Sequence, residues 1–540
     1  MPWVNGEPVS RGPVRSNPQQ LRYDDLDLAP VLREGTNVIA VLARFYRQST
    51  PWWRPSTTTW GLGAGALAFE AHLGDGTVVG SDETWRALVP GRWTSAAGDF
   101  MSALPIEVID GRDVPKRWRE VDFDDDRWPA ATPLPVHHVG FPGTHAPPTY
   151  PLGALLPRPM GQLDGEVRTP AFFSLWTGRG GPAPDDPVAR VEADDTEVVP
   201  ARLDVPGDEL PLVLEGGDVV VVHADFGEIV AGTVELEVRA PEGTTIDAMA
   251  AERAAVDGTL RRDEQHAGFR YVTRGGVDRF ETFDGIGLRY LGLSVRAEGP
   301  VELRRLAVRE RLAPTGPERA TFSCSDPLLE EIWRVGRRTV DLCSTDAYLD
   351  CPTREQRAWT GDAVVHQMVD LATSTDRRLA RWQVEMAAAS VRPDGMLPMA
   401  VAGDAEAADH TVIPDWALHW VRAVRNLWWD SGDSELVQSL LPTVERVLRW
   451  FLPYQGPDGL LHDVTGWVLI DWSAVSTTGA SAALAGLWAR GLRDLVDLAD
   501  AVGDAGRVAW AEQRWAAVRA GFDACSGPRP APVRRSSRRR

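Results

Sequence analysis

Along the first 105 residues, short β-branched and apolar runs such as Thr36 to Leu42 and Ala66 to Leu73 alternate with Gly, Pro and Asn turns, among them Asn5-Gly6 and Asp75-Gly76. A period of two punctuated in this way predicts an antiparallel β domain. Alternation returns between Val219 and Arg311, through VVVVHADF, GTVELEVRAPEGTTIDAMA and RYLGLSVRAEGPVELRRLAV, with turn signals at Pro241-Glu242-Gly243 and Gly275-Gly276. A second β-sandwich is expected there. At Ser325-Asp326-Pro327 the period changes from 2 to 3.6, with Asp326 suited to the N-cap and Pro327 to the first helical position. Beyond it the spacing predicts helices near 326–343, 361–373, 376–391, 415–430, 433–452, 479–501 and 504–523.

Between the two β regions, residues 129–185 are rich in Pro and Gly and follow neither period (HHVGFPGTHAPPTYPLG, TGRGGPAPDDP), so they read as linker and long loops. Within the helical part a weak repeat appears. Arg392-Pro393-Asp394-Gly395-Met396-Leu397 and Gly456-Pro457-Asp458-Gly459-Leu460-Leu461 each follow a predicted helix and precede an Asp-Trp pair, Asp415-Trp416 and Asp471-Trp472. Helical hairpins with loops on one rim produce such a repeat, and closing an α/α toroid from them takes about twelve helices. The chain therefore reads as multidomain β plus α: two antiparallel β-sandwich domains followed by an incomplete (α/α)6 toroid. The expected divisions are a β-sandwich over 1–128, Pro/Gly-rich linker and loops over 129–200, a second sandwich over 201–315, a partial toroid over 316–524, and a basic, disordered tail over 525–540. WVNGEPV opens inside a strand pattern and CSGPRPAPVRRSSRRR breaks off an amphipathic helix, so truncation is expected at both ends.

Composition narrows the function classes. At 540 residues the chain exceeds a single core, which stops growing near ~250–300 residues, so about three domains are expected. Its 77 acidic against 57 basic residues give a net charge of −20, which repels phosphate backbones and argues against nucleic acid as a partner. No apolar run approaches the ~20 residues of a membrane span, and MPWVNGEPVS lacks the regions of a signal peptide; no membrane partner and a cytoplasmic location are expected. Cys324, Cys343, Cys351 and Cys525 form no CxxC pair and no metal-ligand spacing, so reduced thiols, no metal and no cofactor are expected. Tryptophan is in excess, 22 residues against 14 Phe and 7 Tyr, and indoles both fill large cores and stack on the apolar faces of sugar rings.

The densest cluster of reactive side chains lies between the first two predicted helices: Asp346, Asp350, Arg354, Glu355, Arg357, Trp359 and Asp362, with Pro352 and Gly361 keeping the backbone non-helical. Carboxylates supply acid or base groups and accept sugar hydroxyls, arginines order them, and an indole forms an apolar wall. The plainer alternative is an ion-pair network of Asp350, Asp362 and the arginines that stabilises an interhelix loop. Spacing alone does not choose between them.

Several strings change the odds: WVNGEPVSRGP with DETWRAL, DFGEIVAGTVELEVRAPEGT through FDGIGLRYLGL, FSCSDPLLEEIW, and above all DCPTREQRAWTGDA. On these the chain resembles the bacterial α-L-rhamnosidases of glycoside hydrolase family 78 over most of its length. The resemblance implies a rhamnosidase N-terminal domain, a concanavalin-like sandwich and a six-hairpin catalytic domain. It implies Glu355 as the general acid that protonates the glycosidic oxygen, Asp350, Arg354, Trp359 and Asp362 along the rhamnose subsite, and inverting cleavage of a rhamnose-containing glycoside or polysaccharide. Burial and the flanking Asp350 and Asp362 would raise the acid's pKa, while Arg354 or Arg357 would oppose this.

An inverting enzyme also needs a carboxylate base ~6.5–9.5 Å from the acid. The resemblance puts that base far downstream, and this chain is expected to stop before it. Among the remaining groups, Asp404, Glu406, Asp409 and His410 form either a rim loop over the site or a solvated acidic loop. Asp415 and Trp416 are assigned to shaping the substrate pocket. Asp471 and Trp472 resemble a second Asp-Trp loop with the indole on sugar, the alternative being a helix cap beside a core Trp. For His366, packing is the default. The leading expectation is thus a rhamnosidase with Glu355 as acid; the alternatives are an inactive fragment that retains only carbohydrate binding and, weaker still, a structural protein with a basic tail.

Overall fold

The computed structural model describes residues 1–17, 20–44, 66–96, 106–133, 155–178, 184–196, 203–215, 218–401 and 412–525. These divide into two compact units: the first holds Met1–Ala358 and Ala372–Trp382, the second Trp359–Leu371, Gln383–Val401 and the helical residues from 412 onward.

In the first unit, β1 (Pro2–Val4) pairs with β2 (Glu7–Pro8) and β4 (Ile39–Val41). The hairpin turns on Asn5 and Gly6 at φ 54° and 85°, the left-handed pair that Asn-Gly supplies. Two further small pairs are β3 (Arg22–Tyr23), parallel to β9 (Leu156–Pro157), and the hairpin of β5 (Glu70–His72) with β6 (Val78–Gly80). β7 (Trp93–Ala96) and β8 (Ile106–Asp110), which the alternation groups with the N-terminal domain, join the large sheet instead, β8 running parallel to β17 (Gly268–Glu281).

The large sheet runs β10 (Val167–Arg168), β19 (Val301–Glu310), β14 (Val219–Ala251), β17, β8, β7, and it also takes in β11 (Phe172–Gly178), β12 (Leu203–Pro206), β13 (Leu212–Leu214) and β18 (Ile286–Arg296). A small hairpin, β15 (Arg253–Ala254) with β16 (Leu260–Arg261), follows β14. The β-branched run VVVVHADF begins β14, a 33-residue strand that bends and pairs in turn with β11, β18, β17 and β19, meeting β18 twice. Where it passes β19, a Cβ on Gly232 would sit 1.9 Å from the Arg309 carbonyl oxygen, so only glycine allows the approach. The inward residues of its two layers, among them Phe173, Val222, Leu236, Ile246, Phe269, Leu288, Leu291 and Val308, form one continuous core.

The stretch 129–200, expected to be linker and loops, carries β9, β10, β11 and a helix, α1 (Pro187–Thr196). Asp186 accepts the Ala189 amide at 2.8 Å, and Val188 and Val191 pack on Met249, Ala251 and Leu260 in a second small core. Two valines three residues apart make too short a stripe for a periodicity argument, although Asp186-Pro187 is a helix-start signal. The parts of 129–200 at 134–154, 179–183 and 197–200, like the tail beyond 525, lie outside the described residues.

All seven helices expected after Asp326 form: α2 (Pro327–Leu342), α3 (Asp362–Thr373), α4 (Arg378–Ala389), α5 (Pro414–Ser431), α6 (Ser434–Trp450), α7 (Ala482–Ala501) and α8 (Ala505–Cys525). Asp326 caps α2 by accepting the Leu328 amide at 3.0 Å. In the second unit α7 packs against α5, α6 and α8. Its Trp488 is fully buried and donates to the Leu448 carbonyl of α6, while Trp420 of α5 donates to Val384. The two Pro-Asp-Gly segments close as the same turn. Arg392 and Gly456 amides donate to the carbonyls four residues on, the Asp394 and Asp458 carboxylates accept the Met396 and Leu460 amides, and Gly395 and Gly459 take φ 97° and 82°.

Candidate active site

The motif loop belongs to the first unit as far as Ala358. Its neck is a reciprocal pair: the Asp350 amide donates to the Arg357 carbonyl at 2.9 Å, and the Arg357 amide donates to Asp350 Oδ1 at 2.8 Å. Gln356 turns the chain at φ 49° and donates to the Gly285 and Pro352 carbonyls. Thr353 donates to Glu252 at 2.7 Å, and the Arg354 guanidinium lies 3.3 Å from Glu252 and 3.5 Å from Glu264. A Cβ on Gly287 of β18 would meet the Pro352 carbonyl oxygen at 2.0 Å, so the sheet backbone abuts the loop directly. On the other flank, Asp346 accepts the Arg15 amide at 2.7 Å and pairs with its guanidinium at 3.3 Å.

Within this frame the electrostatics are strongly perturbed. Burial, and then the charge of Glu355, push the Asp350 carboxyl up to about 7. Burial, reinforced by Arg15, pulls Arg357 down to about 9. The Cys351 thiol is pushed up to about 11, chiefly by burial, which leaves it a weak nucleophile; its sulfur instead accepts the Glu355 amide at 3.3 Å. Asp350 and Glu355 are thus two interacting carboxyl groups on a loop clamped at its neck.

The second unit carries the rest of the sequence candidates. Trp359 is buried and meets Trp416 edge-to-face with ring centroids 5.2 Å apart. Gly361 lies flat on the Trp416 indole, where a Cβ would come within 2.4 Å of the ring. Asp362 opens α3. Asp415 is completely buried and accepts the amides of Leu469 (3.2 Å) and Ile470 (3.0 Å). Those amides enter a left-handed turn in which Ile470, Asp471 and Trp472 stand at φ 45°, 49° and 59°. Three consecutive non-glycine residues in this region are costly, and such strain concentrates at functional sites. The turn presents Trp472, 78% exposed, beside the exposed Trp467, ring centroids 5.6 Å apart. Asp471 therefore caps no helix and Trp472 is not core. Burial pushes the nearby His419 imidazole down, Arg490 adds to this and Asp471 opposes it. His366 is pushed down to about 4 by burial alone, as a packing residue would be. Asp404, Glu406, Asp409 and His410 lie outside the described residues.

Trp467, Glu252 and Glu264 were not singled out by sequence reasoning. Trp467 was findable, since GWVLIDW sets two indoles five residues apart around the Asp-Trp pair; the two glutamates lie about a hundred residues from the loop they hold. Among the described residues no three His, Cys, Asp or Glu side chains converge as a metal site.

Comparison with known proteins agrees with this architecture. Residues 2–149 match the α-L-rhamnosidase N-terminal domain, 215–309 the bacterial α-L-rhamnosidase concanavalin-like domain, and 317–515 the bacterial α-L-rhamnosidase six-hairpin glycosidase domain. An α-L-rhamnosidase of Formosa agariphila is 22% identical over 509 residues, which cover 87% of this chain and 46% of that protein. One of Streptomyces avermitilis is 28% identical over 272 residues, 47% of this chain and 24% of that protein. The chain thus spans less than half the length of either curated relative. Its fold is that of the family 78 rhamnosidase of Bacillus sp. GL1 (TM-score 0.74, 21% identity, 97% of this chain and 72% of that one). It is equally that of the S. avermitilis α-L-rhamnosidase complexed with L-rhamnose (TM-score 0.66, 20% identity, 97% and 46%). With three family domains in order along most of its length, the chain belongs to the bacterial α-L-rhamnosidases.

Proposed function

We propose that this chain acts as a glycoside hydrolase that releases terminal α-L-rhamnose from glycosides or polysaccharides by inversion, with Glu355 as the general acid. One observation carries the reading: Asp350 and Glu355 share a clamped loop in which the Asp350 carboxyl is pushed up to about 7. The pair therefore retains a proton near neutrality, which is what a departing glycosidic oxygen requires. Delivery of the proton to that oxygen falls to Glu355, and contact with the sugar to Asp350. In the first unit Arg354, oriented by Glu252 and Glu264, also serves the sugar. In the second unit Trp359, Asp362, Asp471 and the exposed Trp472 are the sugar contacts, and Asp415 and Trp416 act by holding them. Inversion needs a carboxylate base as well, and no residue of this chain is assigned to it.

The test is turnover of an aryl α-L-rhamnoside and of an unactivated rhamnoside by the 540-residue chain and by Glu355→Gln. Loss of the proton donor should abolish hydrolysis of the unactivated substrate and spare the aryl substrate more, since a good leaving group needs less protonation. Equal losses on both would remove Glu355 from the acid role. Absence of turnover by the unmodified chain, with L-rhamnose still bound, would reduce the function to carbohydrate binding.

A further inference from the structure

The Cys351 side chain sits between the two carboxyl-bearing residues of the motif loop. Its sulfur accepts the amide of Glu355, four residues on, at 3.3 Å. On its other side the thiol meets the Asp350 carboxyl, whose ionised form its S–H favours. Pro352 follows at once, its φ fixed by the ring, and Gln356 closes the same turn by donating its side-chain amide to the Pro352 carbonyl at 3.0 Å. The backbone that carries Glu355 is thus tied to one sulfur atom, and the chain then turns away at Gln356 with φ 49°.

The neighbouring groups are already engaged and do not replace that sulfur. Asp350 Oδ1 accepts the Arg357 amide at 2.8 Å, and the Thr353 hydroxyl donates to Glu252 at 2.7 Å. An aspartate at position 351 would accept the Glu355 amide as a helix cap does, but it would add a third negative charge beside Asp350 and Glu355. A thiol supplies the acceptor without the charge. Burial pushes Cys351 up to about 11, so it stays neutral, and a donor, across the range in which Asp350, raised to about 7, changes charge. The other charges facing the two carboxyl groups are Arg357, with Arg15 beside it, and Arg354, which Glu252 and Glu264 hold. None of these is altered by a substitution at 351.

We propose that Cys351 is a positioning residue of the hydrolytic reaction, its sulfur seating the Glu355 backbone and its S–H meeting the Asp350 carboxyl so that the two are held in register, an assignment that rests on Glu355 being the acid.

The experiment compares Cys351→Ala, which removes donor and acceptor, with Cys351→Ser, which keeps both, in the full chain. In infrared spectra, the C=O stretch of the protonated carboxyl that Asp350→Asn removes should persist in Cys351→Ala to a pH higher by about half a unit or more, because the ionised form has lost a donor. On an unactivated rhamnoside Cys351→Ala should lose about tenfold or more in kcat, and less on an aryl rhamnoside, since a displaced acid matters most where the leaving oxygen needs its proton. Cys351→Ser should restore most of the activity and the original titration. An unchanged carboxyl titration in folded Cys351→Ala overturns the proposal, as does a Cys351→Ser that fails as badly as Cys351→Ala. Equal losses on the two substrates in Cys351→Ala, with Glu355→Gln still selective between them, overturn it too. Equal losses in Glu355→Gln, or no turnover by the unmodified chain, would remove the proposed function instead; a shifted titration would then still tie Cys351 to Asp350, and an unshifted one would overturn that as well.

Discussion

Asp415 offers the sharpest perturbation, because a single buried carboxylate holds a strained turn. The left-handed residues Ile470, Asp471 and Trp472 cost about 1–2 kcal/mol each, roughly 3–6 in all. Opposing this, Asp415 accepts two amides, and charge-assisted hydrogen bonds contribute about 1.5–3 kcal/mol apiece. The two sums are of one size, so the turn exists because the carboxylate is there. Asp415→Ala leaves two buried N–H groups without an acceptor, a loss of about 2–6 kcal/mol, or a ~30-fold or greater rise in local opening. Asp415→Asn keeps one oxygen and should fall between. A chain of several domains does not unfold in one step, and a global denaturation curve would not isolate a single turn. Hydrogen exchange at the Leu469 and Ile470 amides reads the turn directly, with the buried amides of α7 as the internal reference. Protection unchanged within twofold in Asp415→Ala would refute the reasoning. Equal loss across α5 and α7 would refute it too, by showing that Asp415 holds the helices and not the turn.

Glu107 should give a pH signature. Burial raises its carboxyl from the ordinary 4.5 to about 7. Between those values the unfolded chain has released a proton that the folded chain keeps, so stability falls as pH rises through the window, by about 3 kcal/mol, and levels off above it. Asp350 acts in the same direction; Glu107→Gln should flatten the fall in melting temperature between pH 5 and 7, and an unchanged slope would count against the buried charge. Gly361→Ala forces a methyl into the Trp416 ring and should cost about 1–3 kcal/mol, with a shifted tryptophan emission as the readout. On α2, Leu328, Leu329, Ile332 and Val335 form an apolar face that is 46–64% exposed. Ile332→Gln should change stability by no more than about 0.5 kcal/mol while lowering the binding of a hydrophobic dye; a loss above ~2 kcal/mol would mean the face is covered.

What could be read in advance depended on how local the determining physics is. Asp326-Pro327 announces α2 within two residues, and the Pro-Asp-Gly turns repeat because one Asp and one Gly close each of them. The cluster from Asp346 to Asp362 was visible as chemistry because it is contiguous. Its geometry was not: the clamp between Asp350 and Arg357 is local, but the orientation of Arg354 depends on Glu252 and Glu264, and the seat of the loop on Gly287. The membership of β7 and β8 in the large sheet rests on a parallel partner some 160 residues away, beyond any periodicity argument. The turn at Ile470 runs against local preference, since a β-branched residue resists a left-handed backbone. Only the tertiary contact from Asp415 makes it affordable, so sequence rules assigned Asp471 and Trp472 more conventional alternatives.

The long β14 strand also sets a schedule for biosynthesis. The strand that ends at Ala251 is not fully paired until β19 ends at Glu310, because its residues 232–239 take β19 as a partner, and β8 waits from residue 110 for β17 at 268. At the ~5–20 residues per second of translation, the first interval lasts about 3–12 s and the second about 8–32 s. Throughout that time a strand rich in valine leaves the ribosome with unsatisfied edges, a target for chaperones and for neighbouring nascent chains. The motif loop emerges only some forty residues after β19, so the surface on which Glu252 and Gly287 seat it is assembled just before it arrives.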